Sequence, residues 1–146
     1  MLFRSLREAV ELRRTLETEI AVLAARNISD GQLAELGAIV LEMAKARDDA
    51  DRWVAADVQF HMLLAQASGN TLITFLIEAL RSTMEETIRI LHAQRPMRDQ
   101  DATFRRHQAI HDAIAAHSVP AARLAMEAHF AATEPVVSAL IAARMS

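Results

Sequence analysis

Four ionisable residues, Asp57, His61, His107 and His129, fall on predicted helical stripes that otherwise face the core. Asp57 and His61 are four residues apart, so they project side by side from one helix. A buried carboxylate or imidazolium without a partner is costly, and coordination to a metal ion removes that cost. One carboxylate oxygen and three imidazole nitrogens therefore form a candidate site for Zn²⁺, Ni²⁺ or another first-row dication.

Each of these residues also has a simpler structural interpretation. A single histidine on an apolar stripe is commonly a hydrogen-bonded core residue, and Asp57 could pair with a histidine of another helix. His111 follows His107 by one turn and competes with it for the interior. His92 and His117 are predicted near helix C-termini, where a partly positive imidazole suits the helix dipole. We interpret both of these as structural.

Arg13 borders the apolar face of the first predicted helix and precedes Glu17 by four residues. The simpler interpretation is an ion pair on the helix surface, which contributes little to stability. The alternative is a guanidinium that enters a pocket and binds a carboxylate through two parallel hydrogen bonds. The residues alone favour the surface pair.

The elements that must position these residues are predicted to be helices. Glycine and proline number three each, whereas strand-favouring β-branched and aromatic residues are sparse. We expect helices over about residues 5–26, 30–44, 51–67, 71–92 and 102–117, and a sixth that opens at Pro120 and kinks at Pro135. Ser29 or Asp30 and Asn70 are the expected N-caps, and Gly69 is expected in the left-handed conformation.

Apolar periodicity predicts which helix faces are buried. On the first helix the predicted core stripe is Leu12, Leu16, Ile20 and Leu23. On the fourth helix it is Leu72, Leu76, Leu80, Met84 and Leu91, and Phe75 is also interpreted as core.

Composition excludes several classes of function. The 146 residues fit one domain, and the absence of cysteine excludes disulfides and thiolate metal sites and suits the cytoplasm. A formal charge of -3 gives no electrostatic footprint for DNA, so we expect no direct nucleic-acid binding by this chain. No run of 18 apolar residues and no apolar leader segment occur, so we expect neither membrane insertion nor a signal peptide.

Four segments, in this order, resemble the FCD domain, the C-terminal effector-binding domain of FadR-subfamily regulators in the GntR family. The likeness covers about residues 10–130. The segments are Glu11-Leu12-Arg13-Arg14-Thr15-Leu16-Glu17 with Ala21-Val22-Leu23-Ala24-Ala25; Asp57-Val58-Gln59-Phe60-His61 with Ala67-Ser68-Gly69-Asn70; Arg106-His107-Gln108-Ala109-Ile110 with Ala113-Ile114; and Ala125-Met126 with His129.

The resemblance implies an antiparallel bundle of six or seven helices whose interior binds a divalent metal. The family's ligands fall on Asp57, His61, His107 and His129, which makes His111 the second choice. Arg13 matches the family's first-helix arginine, and the implied effectors are small organic acids such as hydroxy- or keto-carboxylates. The family usually has a glutamate just before the third ligand, where this chain has Arg106.

The resulting interpretation is an effector-sensing domain rather than an enzyme. Regulators of this family carry an N-terminal winged helix-turn-helix, for which these residues leave no room, so we expect residues 1–146 to be one FCD-like domain. The expected partners are a small carboxylate and a second copy in a homodimer.

A small metalloenzyme and a metal-free helical interaction module are the alternative functions. Against an enzyme, no His-Glu-x-x-His motif occurs, and Glu127 and Glu134 lie on other faces of their helix.

Overall fold

The computed structural model describes residues 3–146, with side chains from Ser5 onward. These residues form helices joined by short connections, and the all-α prediction is confirmed. The helices are α1 (Phe3–Asn27), α2 (Asp30–Lys45), α3 (Ala50–Ala67), α4 (Thr71–Ala79), α5 (Arg81–His92), α6 (Gln100–Ala115), α7 (Val119–Ala131) and α8 (Glu134–Met145).

Two of the six predicted helices are interrupted. The fourth breaks at Leu80, where α4 meets α5 without a connecting loop, so the two segments form one broken helix. The sixth ends at Ala131 and restarts at Glu134, which places Pro135 in the first turn of α8 rather than at an interior kink. Proline is tolerated there because first-turn N–H groups have no intrahelical acceptor. With α4 and α5 counted as one broken helix, the described residues form seven helices, within the predicted six or seven.

Capping residues set the helix starts as predicted. The Ser29 hydroxyl accepts from the Gln32 N–H, and the Gln32 side chain accepts from the Ser29 N–H, a reciprocal capping box. Asn70 accepts from two N–H groups at the start of α4, and Gly69 has a φ of +72°. Gly69 and Asn70 mark the end of α3, the helix that carries Asp57 and His61, and Asp49 caps its start by accepting from the Arg52 N–H.

Helix α3 lies at the centre of the bundle and contacts α1, α2, α4 and α5. It is buried on nearly all sides, with Trp53, Phe60 and Leu64 in the core. Helix α7 packs against α1 and α6, which closes the bundle around the inner face of α3. A polar side chain that projects inward from α3, α6 or α7 therefore meets the others.

The predicted stripes on two helices are confirmed only in part. Ile20, Met84 and Leu91 are buried as predicted, but Leu12 on α1 is 47% exposed, and Arg13 and Glu17 share the buried face of that helix. On α4, Leu72 and Phe75 are 75% and 71% exposed. Both errors arise because apolar periodicity was assumed to mark the core, whereas α1 turns a polar pair inward and α4 lies at the rim of the bundle.

The length and hydropathy of a helix decide whether it can span a membrane. Across the part of the chain that the structure describes, no helix combines the length and the apolar character needed to cross a bilayer.

Candidate metal centre

Three histidines from three helices meet in the interior of the bundle. His61 lies on α3, His107 on α6 and His129 on α7, and each offers a ligand atom within 4.8 Å of the others. All three are buried. The spacing lets one ion contact all three side chains, because metal–nitrogen bonds are about 2.0–2.1 Å long.

Asp57 completes this cluster from the turn of α3 that precedes His61. Its Oδ1 atom lies 3.1 Å from His61 Nε2 and 3.0 Å from His107 Nε2. The carboxylate thus touches two of the three imidazoles and is itself buried. The structure brings together all four residues that the sequence predicts as metal ligands.

The ring orientation of His107 is set by the main chain of its own helix. Its Nδ1–H donates to the carbonyl oxygen of Thr103 at 2.9 Å. Because a carbonyl can only accept, Nδ1 carries the proton and Nε2 points toward Asp57 and the centre of the cluster. Outer hydrogen bonds of this kind fix the tautomer of metal-binding histidines.

A buried carboxylate orients His61 in the same way. His61 Nδ1 contacts Glu17 Oε1, which leaves Nε2 toward Asp57. The other oxygen of Glu17 accepts from Arg13 Nε at 2.8 Å. Arg13 and Glu17 are only 4% and 1% exposed, so the predicted i,i+4 pair exists but its predicted surface position is wrong.

His129 has a buried ring nitrogen, Nδ1, that makes neither a hydrogen bond nor an ion pair with the described residues. The ring nitrogens of His61 also lack hydrogen bonds, but they contact Glu17 and Asp57. Burial, followed by the neighbouring His107 and His61, holds the pKa of His129 well below its usual value of 6.5. The imidazole is therefore neutral at physiological pH, the form that coordinates a metal.

The remaining charges of the cluster stabilise one another. Burial works to raise the pKa of Asp57, but His107 and His61 hold it well below its usual value. For Glu17, burial acts in the same direction, and Arg13 and His61 together lower the pKa. Burial works to lower the pKa of His61, yet Glu17 and Asp57 raise it to about 9. Both carboxylates are thus available as anions, the form that binds a cation.

A small cavity opens beside the cluster. Its volume is about 10 Å³, enough for about one water molecule. Asp57 and His129 line it together with two guanidinium groups, those of Arg13 and Arg98. Arg13 also lies over the Phe130 ring, 5.3 Å from its centroid, and its Nη2 is buried without a hydrogen-bond partner. The cavity therefore presents donors suited to an anion next to the metal-ligand candidates.

The other histidines lie apart from the cluster. His111 contacts Asp112 at 3.0 Å near the surface, so it does not compete with His107. His92 stacks on Trp53 and donates from Nε2 to the Arg47 carbonyl at 3.0 Å, and it lines the cavity. His117 bonds the Ala25 carbonyl.

Sequence reasoning missed three residues around the site. Glu17 lies on the α1 face with Arg13, and the spacing Val10, Arg13, Glu17, Ile20 was the signal that this face is buried. Thr103, one turn before His107, carries no signal in the sequence because it acts through its main-chain oxygen. Arg98 lies in the predicted loop before α6, where periodicity gives no information.

At position 106 the resemblance implies a glutamate, and this chain has Arg106 instead. It donates from Nη2 to Thr103 Oγ1 at 3.1 Å. The position of His107 does not depend on a carboxylate at residue 106, because the main chain of Thr103 orients the ring.

Comparisons with known proteins agree with this architecture. The FCD domain model matches residues 8–132. The chain is 32% identical over 136 residues to the HTH-type transcriptional regulator LutR of Bacillus subtilis, covering 90% of the chain and 62% of that protein. It is 26% identical over 119 residues to the HTH-type transcriptional repressor NanR of Citrobacter rodentium, covering 82% of the chain and 46% of NanR. The chain thus spans about half to two thirds of these relatives.

Solved structures give the same result. Streptococcus agalactiae GntR superposes with a TM-score of 0.75 at 28% identity, covering 91% of this chain and 59% of that one. Escherichia coli McbR/YncC superposes with a TM-score of 0.77 at 17% identity, covering 94% and 66%, and shows the fold alone. The chain belongs to the FCD domain family, and its relatives are GntR-family transcriptional regulators.

Proposed function

We propose that this chain is the effector-sensing domain of a GntR-family regulator of the FadR subfamily, which binds a divalent metal and a small organic acid. The observation that carries the proposal is the meeting of His61, His107 and His129 within 4.8 Å around the Asp57 carboxylate. The fold and the regulatory relatives support a sensing role.

The donor set fits a first-row dication, Zn²⁺ or Ni²⁺ above all. Asp57, His61, His107 and His129 would hold it, and a bound ion would act there as a Lewis acid that attracts an oxygen ligand. The buried His129 Nδ1, which lacks a partner, supports the assignment because buried polar atoms rarely remain unsatisfied. Thr103 and Glu17 keep His107 and His61 in the required orientation.

Arg13 is the proposed contact for the acid. Its Nη2 is buried, has no partner and belongs to a side chain that lines the cavity beside Asp57 and His129. A guanidinium is suited to a carboxylate because it offers parallel N–H donors. Since Glu17 occupies only Nε, the terminal nitrogens of Arg13 are left for an effector such as a hydroxy- or keto-acid.

Effector binding would act on the whole bundle. An acid held between Arg13 of α1 and the ligands on α3, α6 and α7 bridges four helices. Such a ligand shifts a conformational equilibrium by its differential affinity for the two arrangements. In a complete regulator, this shift would modulate DNA binding by a winged-helix domain. We place the protein in the cytoplasm as a homodimer, acting on transcription without catalysing a reaction.

A thermal-shift screen of small carboxylates, with and without EDTA, tests this proposal. We expect stabilisation by some acids that requires the metal and weakens in Arg13→Gln, which removes the charge but keeps a donor for Glu17. The matched control is Arg14→Gln, since Arg14 is exposed on the same helix. Stabilisation that persists in EDTA and in Arg13→Gln would overturn the assignment of the site.

A further inference from the structure

We propose that Arg98 forms a second anion-binding position in the cavity beside the metal-ligand candidates, so that the preferred effector is a small dianion, above all a dicarboxylic acid. This inference rests on the proposed function, in which the first acid group binds near the metal and Arg13. It assigns the second acid group to Arg98.

The placement of Arg98 supports a binding role. It lies on the connection between α5 and α6, and its side chain lines the same cavity as Arg13, Asp57 and His129. Its Nη1 atom is buried and has no hydrogen-bond partner. A buried guanidinium N–H without an acceptor costs free energy, and an anion in the cavity would supply one.

No carboxylate of the described residues forms a salt bridge with Arg98, in contrast to its neighbours. Arg95, on the same connection, pairs with Asp48 at 2.9 Å, and Arg13 pairs with Glu17. Asp99, adjacent to Arg98, instead accepts from main-chain N–H groups at the start of α6. Burial lowers the pKa of Arg98 to about 10, while Asp57 acts to raise it and nearby arginines act to lower it, so the group is charged at neutral pH. Arg98 thus lines the cavity as a cation that no carboxylate of the described residues contacts directly.

The charges of the site also favour a dianion. The two buried carboxylates, Asp57 and Glu17, are matched by the guanidiniums at the cavity, those of Arg13 and Arg98. Coordination requires neutral histidines, so a bound dication would add two positive charges with no counterpart. A dicarboxylate neutralises both, whereas a monocarboxylate leaves one unpaired in a site shielded from water.

Thr103 contacts both Arg98 and one of the metal-ligand candidates, His107. Its hydroxyl accepts from Arg98 Nε at 3.1 Å, while its carbonyl accepts from His107 Nδ1 at 2.9 Å. One residue therefore positions both the second anion contact and a histidine of the cluster. Because the cavity of about 10 Å³ holds about one water molecule, the site must enlarge for either acid group to bind.

The test compares acids that share a 2-hydroxycarboxylate and differ in the second acid group: lactate, malate and 2-hydroxyglutarate. Dissociation constants are measured by calorimetry on protein loaded with Co²⁺, and the visible spectrum of Co²⁺ shows whether it remains bound. The variants are Arg98→Gln, Arg98→Lys and the control Arg95→Gln, an exposed arginine of the same connection. Lysine keeps the charge but not the paired donors.

We expect at least one diacid to bind wild type about tenfold or more tighter than lactate. A charge-assisted hydrogen bond to the second acid group contributes an affinity gain of about this size. Arg98→Gln should abolish this preference and leave lactate binding unchanged, Arg98→Lys should retain part of it, and Arg95→Gln all of it. Metal-dependent binding of lactate without a diacid preference, or a preference that survives in Arg98→Gln, overturns this inference and leaves the proposed function standing. Failure of all three acids to bind overturns both.

Discussion

At the scale of single residues, the candidate site is defined by how each imidazole is oriented. Thr103 fixes His107 through a main-chain oxygen, and Glu17 fixes His61 through a carboxylate. His129 has no such partner on Nδ1. The first two rings therefore have orienting partners in the absence of an ion, which would lower the ordering cost of the proposed metal binding.

Glu17→Gln tests this orienting role. The amide keeps the shape of the side chain but loses the charge that supports His61, so we expect metal affinity to fall about 10- to 100-fold. The measurement is a competition titration against a chelating dye. Glu19→Gln, a change of the same kind at an exposed position of α1, should leave the affinity unchanged. Equal affinities in the two variants would show that Glu17 has no such role.

The pH dependence of the metal-free protein follows from His61. Its pKa is raised from 6.5 to about 9, so its contribution to stability is complete below pH 6.5 and is lost as the pH rises through 9. The lowered pKa values of Asp57 and Glu17 act at the other end, since their contributions are lost as the pH falls below about 4. Thermal melts in EDTA should therefore show a decreasing Tm between pH 6.5 and 9. A flat or rising Tm would contradict this charge assignment.

At the scale of the helices, the sequence predicted which helices form and in what order better than it predicted which face of each helix is buried. The start of α2 and the turn between α3 and α4 follow from local signals at Ser29, Gly69 and Asn70, and these are confirmed. The predicted core positions Leu12 and Leu72 were wrong, because exposed apolar residues obey helical periodicity as well as buried ones such as Ile20 do. Only tertiary packing distinguishes the two cases.

The candidate site was predicted in part for a related reason. Asp57, His61, His107 and His129 stand out as polar residues on apolar stripes. Glu17 and Arg98 do not, because an i,i+4 ion pair and a loop arginine are common on surfaces. Their burial depends on where α1 and the connection before α6 pack, and that packing involves contacts distant in sequence.

Two glycine substitutions test how local conformation sets the turn after α3. Gly69→Ala should destabilise the protein by about 1 kcal/mol or more, because a φ of +72° strains a residue with a Cβ atom. Gly31→Ala is the matched control in the first turn of α2. A Cβ atom there would meet only Ser29 Oγ, at 4.0 Å, so the change should be neutral or stabilising. Chemical denaturation measures both. A Gly69→Ala variant as stable as wild type would contradict the argument.

At the scale of the whole molecule, charge separates sensing from DNA binding. The formal charge of -3 disfavours binding to phosphates, so we expect this chain to show no specific duplex binding at physiological salt. A gel-shift assay with candidate operator fragments measures this. A specific complex at nanomolar protein would contradict the separation of roles.

The central claim is that one divalent ion binds where α3, α6 and α7 meet. Elemental analysis of protein purified without chelator tests it most directly, with His61→Ala/His129→Ala as the variant and His111→Ala/His117→Ala as the matched control outside the cluster. We predict about one dication per chain in wild type and control, as a single set of ligands implies, and none in the variant. Full occupancy in His61→Ala/His129→Ala would show that the ligands lie elsewhere and would contradict the account.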